Sequence, residues 1–137
     1  MLTTMNAQIP NVRPYRILVV EDDSEMRELL KDELTDGGYD VVLAVNGEEA
    51  MGIMDRDAVD LVITDIRMPK VGGFELLPRL KRHDSKLPVI VITAFGDWPT
   101  LSEAYDKGAC DYIDKPFKIL DLKRSVRKAL EERRKEE

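Results

Sequence analysis

The sequence predicts a doubly wound α/β domain, a class in which helices cover both faces of a parallel β-sheet. Five short apolar runs alternate along the chain with five segments of helical periodicity. Because the runs are apolar at consecutive positions, they indicate strands buried on both faces, as in a parallel sheet. Right-handed crossovers between such strands place helices on both faces. The length of 137 residues is ordinary for one domain of this class.

The five predicted strands are short and rich in β-branched residues, as buried strands are. They are Arg16–Val20, Val41–Val45, Leu61–Ile63, Pro88–Ile92 and Asp111–Ile113. The third run is followed directly by Thr64 and Asp65, which end that strand.

Helices are predicted between the strands, where apolar residues recur at intervals of three or four. The first ends at Gly37, and the second begins after Asn46, which forms a capping box with Glu49. The third covers residues 75–83, and Pro78 must lie in its first turn or kink it. The remaining helices are predicted from Pro99 or Thr100 to about Gly108, and around Leu122, Val126, Ala129 and Leu130.

The two chain ends are predicted to lie outside the folded domain, which we assign to residues 15–130. Residues 1–14 contain two prolines and two asparagines without periodicity, so we expect a flexible leader. Residues 131–137 are expected to form a charged helix end or tail.

The composition disfavours several classes of function. The formal net charge of −6 disfavours non-specific nucleic-acid binding by the whole surface. One cysteine and one histidine exclude an internal disulfide and a zinc site. The longest apolar run is far shorter than the ~18 residues of a membrane span, and no signal peptide is visible, so we expect a cytoplasmic protein. The negative charge is concentrated, since residues 1–65 carry net −10 and residues 66–137 net +4.

Acidic residues follow the first and third predicted strands. Glu21, Asp22 and Asp23 follow the first, and Asp65 ends the third. Sites of doubly wound folds lie at the carboxyl ends of the strands, next to the switch in strand order. If these two strands are neighbours, the carboxylates share a pocket and repel one another, by about 4 kcal/mol for a pair ~4 Å apart at an effective dielectric of ~20. A cation must offset this repulsion, and Mg²⁺ suits such oxygen ligands.

Thr93 ends the fourth predicted strand and Lys115 follows the fifth. A hydroxyl donor and a second positive charge beside a carboxylate match the needs of phosphoryl transfer onto Asp65. Each residue also has a structural interpretation, since Asp23 or Ser24 can cap the next helix and Lys115 can be a solvated loop charge. The joint placement at four strand ends favours the functional interpretation.

Four segments resemble the receiver domain of two-component response regulators. They are residues 17–23, residues 60–69 with Gly72 and Gly73, residues 88–94 and residues 108–117. The resemblance covers about residues 15–130 and implies a flavodoxin-like (βα)5 sheet with the strand order 2-1-3-4-5. It implies a signalling switch, and not a turnover enzyme, that takes a phosphoryl group from a sensor histidine kinase or a phosphotransfer protein.

The resemblance also implies a metal site and a phosphoacceptor. Asp65 is the expected phosphoacceptor. Mg²⁺, or Mn²⁺ in its place, is expected on Asp22, Asp65 and the main-chain carbonyl of Arg67, with Glu21 reaching it through water. Arg67 and Phe95 are the positions expected to tune hydrolysis, Phe95 by shielding the acyl phosphate from water.

Further roles follow from the same resemblance. Thr93 and Lys115 are expected to bind the phosphoryl oxygens, and the Lys115–Pro116 bond is similar to one that is often cis. Tyr112 occupies the place of the aromatic switch residue, although an aromatic ring in a short strand also suits core packing. Phosphorylation is expected to change the face made by the fourth helix, the fifth strand and the last helix. A homodimer through this face is a further expectation.

Other classes of protein make demands that the sequence meets less well. An aspartyl-phosphate phosphatase of the haloacid-dehalogenase type would need a second Asp two residues after the nucleophile, where Arg67 stands. A flavodoxin-type cofactor binder would need a Ser/Thr/Gly loop after the first strand, and a pseudo-receiver would normally lack Asp22, Asp65 or Lys115. Because only a few residues follow Leu130, we expect a stand-alone receiver or a piece of a longer regulator, such as a transcription factor. No direct nucleic-acid or membrane contact is expected from the domain itself.

Overall fold

The computed structural model describes residues 13–67, 73–94 and 98–136, and in this part of the chain a helix follows each of five strands. The strands are β1 (Arg16–Val20), β2 (Asp40–Ala44), β3 (Leu61–Asp65), β4 (Val89–Thr93) and β5 (Asp111–Asp114). The helices are α1 (Ser24–Asp36), α2 (Gly47–Arg56), α3 (Gly73–His83), α4 (Trp98–Asp106) and α5 (Ile119–Glu136). The predicted bounds of β1 agree residue for residue, whereas β2 and β4 are each shifted by one residue.

The five strands form one parallel sheet in the order β2-β1-β3-β4-β5, which confirms the doubly wound, flavodoxin-like prediction. The chain adds β2 on one side of β1 and then crosses to add β3 on the other side. Val20 of β1 therefore pairs with Thr64 of β3. This register places the residues that follow β1 beside Asp65, at the switch in strand order.

The sheet separates two apolar layers. On one face Val20 and Val62 pack with apolar side chains of α2, α3 and α4. On the other face Val19 and Ile63 pack with α1 and α5. β1, β3 and β4 are buried almost throughout, whereas β2 and β5 are half-buried edge strands. Within the described ranges, every helix falls short of the length and apolar character that crossing a membrane would require.

Side-chain caps begin the first two helices. The carboxylate of Asp23 accepts a hydrogen bond from the N–H of Met26 at 3.1 Å, which satisfies one of the free donors at the start of α1. The Asn46 side chain accepts from the N–H of Glu49 at 2.9 Å, and the Glu49 carboxylate accepts from the N–H of Val45 at 3.0 Å. The capping pair predicted for α2 is therefore confirmed, with the glutamate reaching one residue further back than in the standard box.

Pro78 lies inside α3 and beyond its first turn, so the first of the two predicted alternatives, a place in the first turn or a kink, does not hold. The helix begins at Gly73, two residues before the predicted start. Proline has no N–H, so the carbonyl of Phe74 loses its usual intrahelical donor. The helix continues past this point because Leu76 and Leu80 are fully buried, and their packing outweighs one lost hydrogen bond.

Ion pairs connect segments near the amino ends of the strands, the end of the sheet opposite to Asp65. We call these the amino-end ion pairs: Arg13–Asp60 at 2.8 Å, Arg16–Asp40 at 2.7 Å and Arg133–Asp84 at 2.8 Å. Arg13 belongs to the predicted leader, of which only residues 13 and 14 lie in the described part of the chain. At the other terminus, α5 continues through the predicted charged end to Glu136.

Candidate functional site

Three carboxylates meet at the carboxyl ends of β1 and β3, and we call them the acidic cluster. Glu21 and Asp22 directly follow β1, and Asp65 is the last residue of β3. One carboxylate oxygen from each lies within 4.8 Å of the other two. Glu21 is fully buried, Asp65 is 6% exposed and Asp22 is exposed. Asp23 caps α1 and is not part of the cluster found among the described residues, so its structural interpretation is the correct one.

Lys115 supplies a cation to the acidic cluster. Its Nζ donates to Oδ2 of Asp65 at 2.6 Å and to Oε1 of Glu21 at 2.8 Å. Burial alone would lower the pKa of Lys115, but the hydrogen bonds to the two carboxylates outweigh burial and raise this pKa. The Lys115–Pro116 peptide bond is cis, as the resemblance implied. One ammonium group thus faces three carboxylates, which leaves the site attractive to a further cation.

The pKa of Glu21 reflects both its burial and the negative charge of Asp65. Burial raises the pKa of Glu21, and the neighbouring charge of Asp65 adds to the rise. Hydrogen bonds from Lys115 and from the N–H of Asp23, at 3.1 Å, act in the opposite direction without cancelling it. The ionised form of Glu21 is therefore less favourable in the folded chain than in water, and a bound cation would offset that difference.

The donor set of the acidic cluster fits a hard divalent cation. It consists of carboxylate oxygens, and Mg²⁺ typically binds one or two carboxylates while it keeps several waters. The carboxylate of Asp22 makes no hydrogen bond or ion pair with the described residues, so a metal can bind it without displacing a partner. The N–H of Arg67 donates to Oδ1 of Asp65 at 2.9 Å, which places Arg67 beside the cluster. Its carbonyl stays a predicted ligand.

Thr93 lies next to the acidic cluster at the end of β4. Asp65 pairs with Ile92, the residue before Thr93, in the β3–β4 ladder. Thr93 is fully buried, and its carbonyl accepts a hydrogen bond from the N–H of Lys115 at 2.8 Å. The main chains of these two residues are therefore joined, as a pair that binds the same phosphoryl group would require.

The structure describes Tyr112 and Arg67 but not Phe95, the second residue expected to tune hydrolysis. Tyr112 pairs with Val91, is half-buried and packs against the core on the face covered by α2, α3 and α4. This contact accounts for its burial, and its role as a switch residue stays a prediction. The side chain of Arg67 is exposed. Phe95 lies outside the described residues, so its shielding role also stays a prediction.

Arg27 is a residue near the site that the sequence patterns did not identify. Its Nη1 donates to the main-chain carbonyl of Glu21 at 2.9 Å and to that of Asp22 at 3.3 Å. The one sequence signal for this role is a basic residue one helical turn after an acidic loop. That signal is weak, because most such residues are solvated.

Comparisons with known proteins agree with the observed fold. A family model described as the response regulator receiver domain matches residues 17–127. The chain is 38% identical over 115 residues to the probable transcriptional regulator ycf27 of Porphyridium aerugineum, which covers 84% of this chain and 48% of that protein. A CheY-like response regulator receiver domain protein from Methanospirillum hungatei superposes with a TM-score of 0.87 at 28% identity, covering 90% of this chain and 99% of the other. The response regulator TrrA from Thermotoga maritima, in complex with Mg(2+)-BeF, has a TM-score of 0.77 at 37% identity, covering 85% and 99%.

The chain belongs to the response regulator receiver family. The match covers most of the chain, and the strand order predicted by the resemblance is the one observed. The chain spans about half the length of several curated relatives that it matches.

Proposed function

We propose that the chain is a phosphorylatable receiver, which accepts a phosphoryl group on Asp65 from a sensor histidine kinase or a phosphotransfer protein. The main support is the geometry around Asp65. Its carboxylate lies within the acidic cluster, whose oxygens are within 4.8 Å of one another, and its Oδ2 is 2.6 Å from Nζ of Lys115. A nucleophile, a site for a divalent cation and a fixed positive charge therefore meet at one point.

Asp65 is the nucleophile in this proposal. One carboxylate oxygen attacks the phosphorus of a phosphohistidine, the P–N bond breaks, and the imidazole nitrogen retains the bonding electron pair. Lys115 already donates to Asp65, so its ammonium group is in place to bind an oxygen of the transferred group. Thr93, buried beside Lys115, would supply a hydroxyl donor.

Asp22, Asp65 and the carbonyl of Arg67 would bind Mg²⁺ directly, and Glu21 would reach it through water. Mn²⁺ suits the same oxygen donors. The metal would neutralise part of the charge on the phosphoryl oxygens. The neighbour TrrA, which is in complex with Mg(2+)-BeF, supports this choice of cation.

The proposed consequence of phosphorylation is a shift between two arrangements of the face formed by α4, β5 and α5. Tyr112 lies in β5 and would respond to movement of Thr93, and two copies of the chain would pair through the same face. Arg67 and Phe95 would set the lifetime of the acyl phosphate. The chain would act as a switch that catalyses only its own phosphorylation and dephosphorylation.

The cellular setting belongs to the same proposal. The match to a relative that carries the name of a transcriptional regulator covers only 48% of that relative, which supports a receiver within a longer regulator. We expect the protein to meet its kinase and Mg²⁺ in the cytoplasm. A phosphatase of the haloacid-dehalogenase type is not supported, because a guanidinium at Arg67 cannot act as the general acid.

Intact mass after incubation with acetyl phosphate and Mg²⁺ tests the proposal. The wild type should gain one phosphoryl group, and neither Asp65→Asn nor the wild type in EDTA should gain any. Asp36→Asn is a matched control, because this exposed acid lies at the far end of α1 and should leave the adduct unchanged. A wild type without adduct at every Mg²⁺ concentration, or an adduct on Asp65→Asn, would contradict the proposal.

A further inference from the structure

We propose that Arg27 is a positioning residue for the metal-binding carboxylates and acts through the main chain of Glu21 and Asp22. The inference rests on the proposed function, because it concerns the metal that this function requires. Arg27 is half-buried in α1, and its Nη1 donates to the two carbonyls at 2.9 and 3.3 Å. These bonds hold the backbone of the loop rather than the carboxylates themselves.

Asp22 differs from the other two acids in the way its carboxylate is held. The carboxylates of Glu21 and Asp65 each accept hydrogen bonds from Lys115 and from a main-chain N–H. The carboxylate of Asp22 has no such bond within the described part of the chain. Its position relative to the other two acids therefore depends on the backbone that carries it.

The backbone between β1 and α1 is held on either side of Asp22. The N–H of Glu21 donates to the carbonyl of Ala44 at 3.0 Å, which joins it to the end of β2. Asp23 caps α1, and its carbonyl accepts from the N–H of Arg27 at 2.9 Å. The carbonyls of Glu21 and Asp22 lie between these points, and one planar guanidinium bonds both of them. Arg27 thereby joins the acidic loop to the first turn of α1.

The charge of Arg27 and its hydrogen bonds have opposite effects on a bound metal. As a nearby cation, Arg27 repels Mg²⁺, so loss of the charge alone would tighten Mg²⁺ binding. Loss of the positioning bonds would weaken binding, because the carboxylate of Asp22 would no longer be held in place. Hydrogen-bond partners behind metal ligands typically account for roughly 10- to 100-fold in affinity. Weaker Mg²⁺ binding after loss of Arg27 would therefore indicate the positioning role, and tighter binding would indicate a purely electrostatic effect.

The test is an NMR titration of the full chain with Mg²⁺ alone, without a phosphodonor, so that it reports metal binding and not phosphorylation. Arg27→Met should weaken Mg²⁺ binding about tenfold. Arg27→Lys keeps the charge, but its ammonium nitrogen ends a side chain one bond shorter than Nη1 and should hold the two carbonyls less well, so it should bind Mg²⁺ more weakly than the wild type and more tightly than Arg27→Met. Arg56→Met removes the same charge in the last turn of α2 and should leave Mg²⁺ affinity unchanged.

The outcomes distinguish this inference from the proposed function. A wild type that does not bind Mg²⁺ would contradict the proposed function itself. A wild type that binds, together with an Arg27→Met variant that binds equally or more tightly, would overturn only the role of Arg27. If Arg27→Met does not fold, an Mg²⁺ affinity of Arg27→Lys equal to that of the wild type would overturn the proposed role of Arg27 instead.

Discussion

Carboxylates at the two ends of the sheet differ in how they are paired with cations. At the amino ends of the strands, each carboxylate of the amino-end ion pairs has a cation of its own. At the carboxyl ends, two of the three carboxylates of the acidic cluster share Lys115, and the third, Asp22, has no cation among the described residues. Paired charges add to stability or leave it unchanged, whereas buried like charges reduce it until a cation binds. The unbalanced end is thus the end that a bound cation would stabilise.

Removal of Lys115 should produce the largest loss of stability. Lys115→Met leaves the buried carboxylates of Glu21 and Asp65 without their cation, which should cost about 3 kcal/mol in EDTA. Mg²⁺ should restore part of this loss, because the metal also neutralises the carboxylates. Urea denaturation with and without Mg²⁺ measures both effects, and Lys118→Met, an exposed lysine nearby, is the control. A variant as stable as the wild type in EDTA would show that the cluster does not need Lys115.

Loss of an amino-end ion pair should reduce stability less than Lys115→Met does, and Mg²⁺ should not restore the lost stability. Arg133 and Asp84 pair at 2.8 Å with side chains that are 15% and 33% exposed. Arg133→Met should therefore cost about 1.5 kcal/mol at neutral pH, the value of a hydrogen bond to a charged group. Arg134→Met, at an exposed neighbouring position, is the control.

The pH dependence of the Arg133–Asp84 pair follows from the pKa of Asp84. Burial alone would raise this pKa, but hydrogen bonds from Arg133 and from the N–H of Lys86 outweigh burial and lower it. A carboxyl whose pKa is lowered on folding stabilises the protein above its unfolded pKa of about 4. This contribution is lost as the pH falls through the lower folded pKa. Urea denaturation across pH should show the wild type and Arg133→Met converging in acid, and a difference that grows in acid would contradict the pairing.

Removing the charge of one acid of the acidic cluster should raise the stability of the folded chain, whereas the two preceding substitutions lower it. Glu21→Gln removes a buried charge but keeps only one of the two acceptor oxygens that Lys115 and the N–H of Asp23 use, so it should raise stability in EDTA by no more than about 1 kcal/mol. Because the folded pKa of Glu21 is raised, its ionised form reduces stability above the unfolded pKa of about 4.3 and has no such effect in acid. The gain should therefore be complete above the raised folded pKa, fade as the pH falls below that pKa, and be absent below about pH 4.

Thermal denaturation of Glu21→Gln across pH measures this gain. Glu28→Gln changes the same side chain at an exposed position of α1 and should have little effect. In Mg²⁺ the advantage over the wild type should shrink, because the metal stabilises the wild-type cluster. A loss of stability at neutral pH in EDTA would mean that the charge of Glu21 favours folding.

The smallest effect is expected at the more exposed amino-end pair. Arg16 and Asp40 lie 2.7 Å apart, with side chains that are 29% and 43% exposed. Solvent screens such a pair, so Asp40→Asn should cost no more than about 0.5 kcal/mol. Salt should reduce the difference further, and urea denaturation in low and high NaCl checks both points. A loss of stability as large as that of Arg133→Met would show that the exposure of an ion pair does not determine how much it contributes to stability.

The elements of the fold were predictable because each carries its own local signal. β1 was predicted residue for residue, since its apolar run is bounded by Arg16 and Glu21. β2 begins one residue earlier than predicted because the parallel register pairs Asp40 with Arg16, a contact between segments distant in sequence. The sequence left open whether Pro78 lies in the first turn of α3 or kinks the helix. The structure places it beyond the first turn, because burial of that helix outweighs the local preference of proline.

The candidate site was predictable as a set of residues but not as a geometry. Asp65, Thr93 and Lys115 were identified from their places at strand ends, and the sheet brings them together. The sequence allowed either Asp23 or Ser24 to cap α1, and only the structure assigns the cap to Asp23 and places Asp22 in the acidic cluster.

By itself, the sequence determined the five strand–helix units and the acidic residues at their ends, because hydrophobic periodicity and strand termini are local properties. Only the tertiary structure decided that Lys115 lies 2.6 Å from Asp65, 50 positions away, and that Arg27 bonds the carbonyls behind the acids. Those contacts depend on strand order and register, which follow from packing of the whole sheet. The net charge of −6 was a property of the composition, whereas its division into paired and unpaired ends is a property of the fold.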